Sequence, residues 1–146
     1  MFNNLLSIDP GKFKCGLVQA DIREKKVYKA EILKSDLLAE YVSNLNNFED
    51  ISKIIIGNGT TSGVIKKKLE SFEKEIITFE EKNTTFRAKT RYFELFPISG
   101  FKSLIPREFF LLNKNLDAIS ALIILEDYCK IKFSFDQTID TKTWLK

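Results

Sequence analysis

The 146-residue chain contains no histidine at all. That absence excludes a Ser-His-Asp or Cys-His nucleophile system and any zinc site built on imidazole. Cysteine is scarce too. Cys15 and Cys129 stand far apart in sequence, form no metal-ligand pair, and read as reduced thiols of a cytoplasmic protein. No apolar run reaches the ~18 residues of a membrane span, so no membrane partner is expected. The opening Met1-Phe2-Asn3-Asn4 lacks the charged and long apolar regions of a signal peptide and reads as the lead into a first strand. The net charge is only +3, so the field of the whole molecule is weak. Any catalysis must run on carboxylates, lysines, hydroxyls or a metal.

What is present is the balance of an ordinary globular domain, with 44% hydrophobic and 29% charged residues. The length suits one domain over 1–146. No repeat, low-complexity tract or linker interrupts it. Strands are expected at Leu5–Asp9, Cys15–Ala20 and Lys26–Leu33, with short connections that imply antiparallel neighbours. Pro10-Gly11-Lys12 supplies the first turn. Ser35 or Asp36 is positioned to cap a helix bearing Leu37, Leu38, Tyr41, Val42 and Leu45. Lys53–Gly57 reads as a buried strand. A helix with Val64, Ile65, Leu69 and Phe72 on one face follows it, and then a strand at Glu75–Phe79, which together make a parallel βαβ unit. Thr84 or Thr85 is expected to cap the next helix, which runs to about Phe93. Residues 96–115, with Pro97, Gly100 and Pro106, read as a long irregular loop. A largely buried helix from Asp117 to Lys130 closes a core over about 5–130. In the tail 131–146, Phe133, Phe135, Ile139 and Trp144 suggest partial docking. The expected fold class is therefore α/β and RNase H-like. Its mixed sheet has five strands, three antiparallel and then a parallel pair, with helices on both faces.

Three acids stand at the edges of apolar segments: Asp9 after the first strand, Glu81 after the fifth, and Asp117 at the start of the last helix. A poorly solvated carboxylate needs a partner, and a divalent cation is one. Two Mg2+ ions ~4 Å apart can poise a water, neutralise a phosphate and stabilise a leaving oxygen using carboxylate ligands alone. Taken singly, each acid has a plainer reading. Asp9 suits a turn, Glu80 and Glu81 suit a solvated strand end, and Asp117 suits the favourable end of a helix dipole. Glu80 and Glu81 point to opposite sides of an extended strand, so only one of them can share a site with Asp9. Asn58-Gly59-Thr60-Thr61 reads as a capped helix start or a phosphate-accepting turn, without P-loop spacing.

From Lys82 to Arg107 six basic residues face one acid, Glu94, with Phe86, Tyr92, Phe93, Phe96 and Phe101 interleaved. That mixture suits a phosphate backbone with unstacked bases, or a core face backed by a solvated one. Arg87 and Arg91, four apart, share a helix face. They are placed either to clamp a backbone phosphate or to lie in solvent beside Glu94.

On these residues the chain resembles the YqgF/RuvX family of pre-16S rRNA nucleases, relatives of Holliday junction resolvases. The resemblance rests on four segments. Leu6-Ser-Ile-Asp9-Pro-Gly11 with Cys15-Gly16-Leu-Val is similar to the family's opening strand and hairpin. Ile54–Gly57 with its polar turn is similar to the central strand. Phe79-Glu80-Glu81-Lys82-Asn83-Thr84-Thr85-Phe86-Arg87-Ala88 is similar to the Asp-Glu-Arg-x-Thr/Ser-Thr segment, and Leu116–Tyr128 to the last helix. It implies metal-dependent nuclease chemistry on structured RNA or branched DNA, with Asp9, Glu81 and Asp117 as catalytic, metal-holding acids. Mg2+ or Mn2+, as two ions, would be the cofactor. Lys82, Thr84, Thr85, Arg87 and Arg91 would bind the substrate. Glu80 stands where the family has Asp, Lys82 stands where it has Arg, and 96–115 is longer and more aromatic. These departures bear on substrate choice. The rival readings are a non-catalytic nucleic-acid-binding module of the same fold and a small relative of actin-like ATP-binding proteins.

Overall fold

The structure, a computed structural model, describes residues 3–112 and 114–135. The strands are β1 (Asn4–Asp9), β2 (Lys14–Asp21), β3 (Lys26–Lys34), β4 (Ile51–Gly57), β5 (Glu75–Phe79) and β6 (Ser134–Phe135). The helices are α1 (Leu38–Ser43), α2 (Ser62–Leu69), α3 (Thr84–Leu95), α4 (Arg107–Leu111) and α5 (Asp117–Cys129). The sheet runs β5-β4-β1-β2-β3-β6. β1, β2 and β3 are antiparallel neighbours, while β4 runs parallel to β1 and β5 parallel to β4.

Strand alternation sorts the side chains to the two faces. Leu6, Ile8, Leu17, Ile54 and Ile56 pack under Leu38 and Val42 of α1 and Ile65 and Leu69 of α2. Leu5, Val18, Ala20 and Ile55 face the other way, against α5, which is buried continuously from Ala118 to Glu126. An apolar surface all round requires cover all round, and α5 obtains it from β2 and β1 below and α3 beside it. Ser7, fully buried on this face, donates its hydroxyl to the Ala121 carbonyl at 2.8 Å and ties β1 to α5.

The expected five-stranded sheet has six strands. The sixth is only two residues long, too short to show alternation, and it pairs in parallel with Lys26 and Val27 at the β3 edge. The chain reaches it by turning at Lys130 (φ 55°) and burying Phe133. Tail docking by Phe133 and Phe135 is thus observed, whereas Ile139 and Trp144 lie outside the described residues. Segment 96–115, expected to be irregular, carries a 3-10 turn at Gly100–Leu104 and then α4.

Two expected caps are also corrected. Ser35 begins a 3-10 turn and donates its hydroxyl to the Gly11 carbonyl at 2.7 Å, which ties α1 to the first hairpin. Asn83, in left-handed backbone (φ 53°), precedes α3 in the cap position, and Thr84 already lies within the helix. Among the described residues no helix is long and apolar enough to cross a membrane.

Candidate active site

Glycines decide how closely the three acid-bearing elements approach. Asp9 ends β1 opposite Gly16 of β2. A Cβ on Gly16 would overlap the Asp117 carbonyl and lie 2.6 Å from the Ala118 nitrogen. Glycine there lets the first turn of α5 press onto β2, which carries Asp117 to the strand end that holds Asp9. Gly57 ends β4, the parallel neighbour of β1. A Cβ on Gly57 would lie 2.6 Å from Glu81 Oε1 and 2.8 Å from Ile124 Cδ1. Glu81, just beyond β5, therefore folds back over the end of β4. Gly59 sits between the two, its missing Cβ 3.3 Å from the Pro10 carbonyl and 3.5 Å from Glu81 Oε1. Glu80 is exposed, as a residue on the opposite side of the strand should be.

Short hydrogen bonds fix the approach. The Glu81 amide donates to Asn58 Oδ1 at 3.1 Å, and the buried Thr84 hydroxyl donates to Glu81 Oε2 at 2.8 Å. The Asp117 amide donates to Asn115 Oδ1 at 2.9 Å. Asn58 thus serves Glu81, and the turn it opens leads into α2 through Thr61 without a side-chain cap.

The electrostatics match the geometry. Burial first, then the charges of Glu81 and Asp117, together push the Asp9 carboxyl up to about 7. Burial also raises Asp117, opposed by its bond with Asn115 and by the charge of Lys14. Among the described residues no basic group lies within ion-pairing distance of Asp9, Glu81 or Asp117. Cys15, close by, is held protonated: burial pushes its thiol up to about 12, with the two aspartates adding to the effect. It is no nucleophile at neutral pH.

The remaining expected residues divide. Lys82 and Thr85 are exposed beside Glu81. Thr85 lines an open depression of about 440 Å³ together with Glu81, Asn83, Thr84, Phe86 and Lys89. Arg87 and Arg91 do share a helix face, but it is turned toward the far end of α5. Arg87 grips Asp127 with two bonds of 2.6 and 2.7 Å. Arg91 donates to Glu126 and Glu94, each at 2.9 Å, and to the Phe133 carbonyl at 2.7 Å. Glu126 lies nine residues along α5 from Asp117, roughly 14 Å at 1.5 Å per residue. Both arginines are committed to internal partners, and the structure does not bring them to the acids.

Sequence reasoning gave no role to Gly16, Gly57 or Asn115, nor to Asn58 as the support of Glu81. Gly16 carried a signal, because a glycine inside an apolar strand marks a close approach of another backbone.

Three carboxylates and no imidazole make a hard oxygen donor set, which fits Mg2+ or Mn2+. Among the described residues no three His, Cys, Asp or Glu side chains are set closely enough to enclose a metal ion as they stand. The acids converge without forming a closed cage. This remains compatible with magnesium, which usually takes one or two protein carboxylates and keeps several waters.

The architecture defines an RNase H-like α/β fold. Among solved structures, that of T. thermophilus RuvC in complex with Holliday junction substrate matches with a TM-score of 0.50 and 11% identity, covering 87% of this chain and 94% of that one. The nuclease domain of human cytomegalovirus terminase, Mn soaked and inhibitor bound, matches with a TM-score of 0.45 and 12% identity, covering 97% of this chain and 86% of that one. No protein-family model and no curated protein matches the chain.

Proposed function

We propose that the chain is a divalent-metal-dependent nuclease that hydrolyses phosphodiester bonds in structured nucleic acid. The observation that supports this most is Asp9: a partly buried carboxylate facing two further carboxylates, with no basic group in ion-pairing reach among the described residues. Such an arrangement opposes its own ionisation, and a bound cation removes the opposition.

Asp9, Glu81 and Asp117 would hold the metal, Mg2+ or Mn2+, as a pair of ions. When bound, such ions acidify a water and neutralise charge on the phosphate. Thr84 and Asn58 keep Glu81 turned toward the site, and Asn115 fixes the start of α5. Lys82, Thr85 and Lys89, exposed on the Glu81 side, suit the substrate backbone. The resemblance to the YqgF/RuvX family favours a ribosomal RNA precursor as the substrate. The likeness to RuvC, whose structure holds a Holliday junction, makes branched DNA the second choice.

The test is cleavage of structured RNA and junction DNA with Mg2+ or Mn2+ by the wild type, Asp9→Asn and Asp117→Asn. Activity in the wild type alone is expected, and equal activity in all three would reject the assigned roles. The absence of a closed cage among the described acids favours one alternative, a nucleic-acid-binding module without catalysis. Binding that survives EDTA, with no cutting under either metal, would establish it.

A further inference from the structure

The first hairpin carries an unusual surface. Phe13, in the turn that follows Asp9, is 76% exposed. Its neighbours on that surface are Lys12, Lys14 and Lys34, which with Asp36 line a recess of about 430 Å³. Among the described residues none of these lysines has a carboxylate in ion-pairing reach. Lys12 Nζ stands 5.3 Å from the centre of the Phe13 ring.

The turn is held firmly. The Ser35 amide donates to the Phe13 carbonyl at 2.9 Å, and the Ser35 hydroxyl donates to the Gly11 carbonyl at 2.7 Å. A Cβ on Gly11 would overlap the Lys14 carbonyl, so the turn needs glycine to close so tightly. The aromatic ring is therefore presented to solvent by a fixed backbone, where a mobile one would let it fold onto the surface. Lys14 is also near enough to the acids for Asp117 to respond to its charge.

We propose that Phe13, Lys12, Lys14 and Lys34 form a nucleotide-binding subsite beside the acids, which takes one segment of an unpaired strand. The base stacks on Phe13, and the lysines take successive phosphates. Charge complementarity decides the occupant: three cations around one exposed ring match a chain of phosphates with a free base. A duplex keeps its base faces covered and offers the ring nothing. The subsite lies on the opposite side of Asp9 from the depression that holds Glu81, Phe86 and Lys89. A strand gripped on both sides passes across the acids, so the bond cut is an internal one.

The inference rests on the nuclease reading, and binding without metal separates the two. The 146-residue chain in EDTA is titrated against labelled oligouridylate, oligothymidylate and a duplex of equal length, by fluorescence anisotropy. Phe13→Ala is expected to weaken single-strand binding roughly 5- to 100-fold, with Phe13→Trp near wild type and duplex binding unchanged. Replacing Lys12, Lys14 and Lys34 by Gln is expected to flatten the dependence of log K on log salt by about 2, at ~0.7 per phosphate on a single strand. Wild-type binding that is indifferent to both changes would overturn the subsite and leave the nuclease reading intact. A wild type that binds neither oligonucleotide would likewise overturn the subsite, while the nuclease reading stands or falls separately on cleavage of structured RNA and junction DNA with Mg2+ or Mn2+.

Discussion

Replacing Asp9 by Asn should stabilise the metal-free protein, and by an amount that grows with pH. In the fold the Asp9 carboxyl is pushed up to about 7 from an ordinary 3.8. Between those two values the native state keeps a proton that the unfolded chain has already lost. Stability therefore falls as pH rises through that window, and the whole cost, up to about 4 kcal/mol, is present above pH ~7. Asn carries no charge and is spared the cost. Its amide can lose a hydrogen bond worth about 1–3 kcal/mol in this half-buried place, but that loss is the same at every pH. The diagnostic quantity is the change in the gap between variant and wild type. From pH 5 to pH 8 it should widen in favour of Asn by on the order of 3 kcal/mol, roughly 6–10 °C in Tm for a chain of this size. The assay is thermal and urea unfolding in EDTA across that pH range. Saturating Mg2+ should then reverse the order at pH 8. A cation bound only by the native wild type adds about 2.7 kcal/mol at a hundredfold excess over its Kd, and the Asn variant should gain much less. A gap that does not change with pH would refute the electrostatic reading of the site.

Two other substitutions probe the surroundings. Gly16→Ala should cost more than about 3 kcal/mol in urea unfolding and abolish metal-dependent cutting, because the new methyl would overlap the Asp117 carbonyl and push α5 off β2. Arg91→Ala should cost up to about 3 kcal/mol, since it leaves the carboxylate of Glu126, only 7% exposed, with the more distant Lys132 at 3.8 Å in place of a close guanidinium. Oligonucleotide affinity of the folded fraction should be unchanged in that variant, and a loss of affinity without a loss of stability would return Arg91 to the substrate.

The legible part of this protein lay in its local patterns. Short apolar runs set the first two strands, a partly alternating pattern set the third, and the Ile54-Ile-Ile56 run set the fourth. The nearly unbroken apolar surface from Ala118 to Leu125 announced a helix with cover all round, which α5 has. Strand parity said that only one of Glu80 and Glu81 can face Asp9, the family resemblance pointed to Glu81, and Glu81 lies over the end of β4 with Glu80 in solvent. Less was legible where two-residue pairing or partner choice decided the outcome. β6 exists because the β3 edge was available to it. Arg87 and Arg91 had the spacing of a clamp, but spacing does not say which carboxylates wait opposite, and Asp127 and Glu126 took them.

The sequence by itself determined the kind of chemistry open to the chain. The lack of histidine removed imidazole chemistry and left carboxylates, lysines, hydroxyls or a metal, and the acids at three segment edges made a hard cation a natural partner. Tertiary structure alone decided that the elements carrying those acids approach one another at one end of the sheet. Their approach depends on Gly16 and Gly57 removing two side chains exactly where α5 and Glu81 must cross the strand ends, and a contact between residues a hundred positions apart leaves no trace in local periodicity.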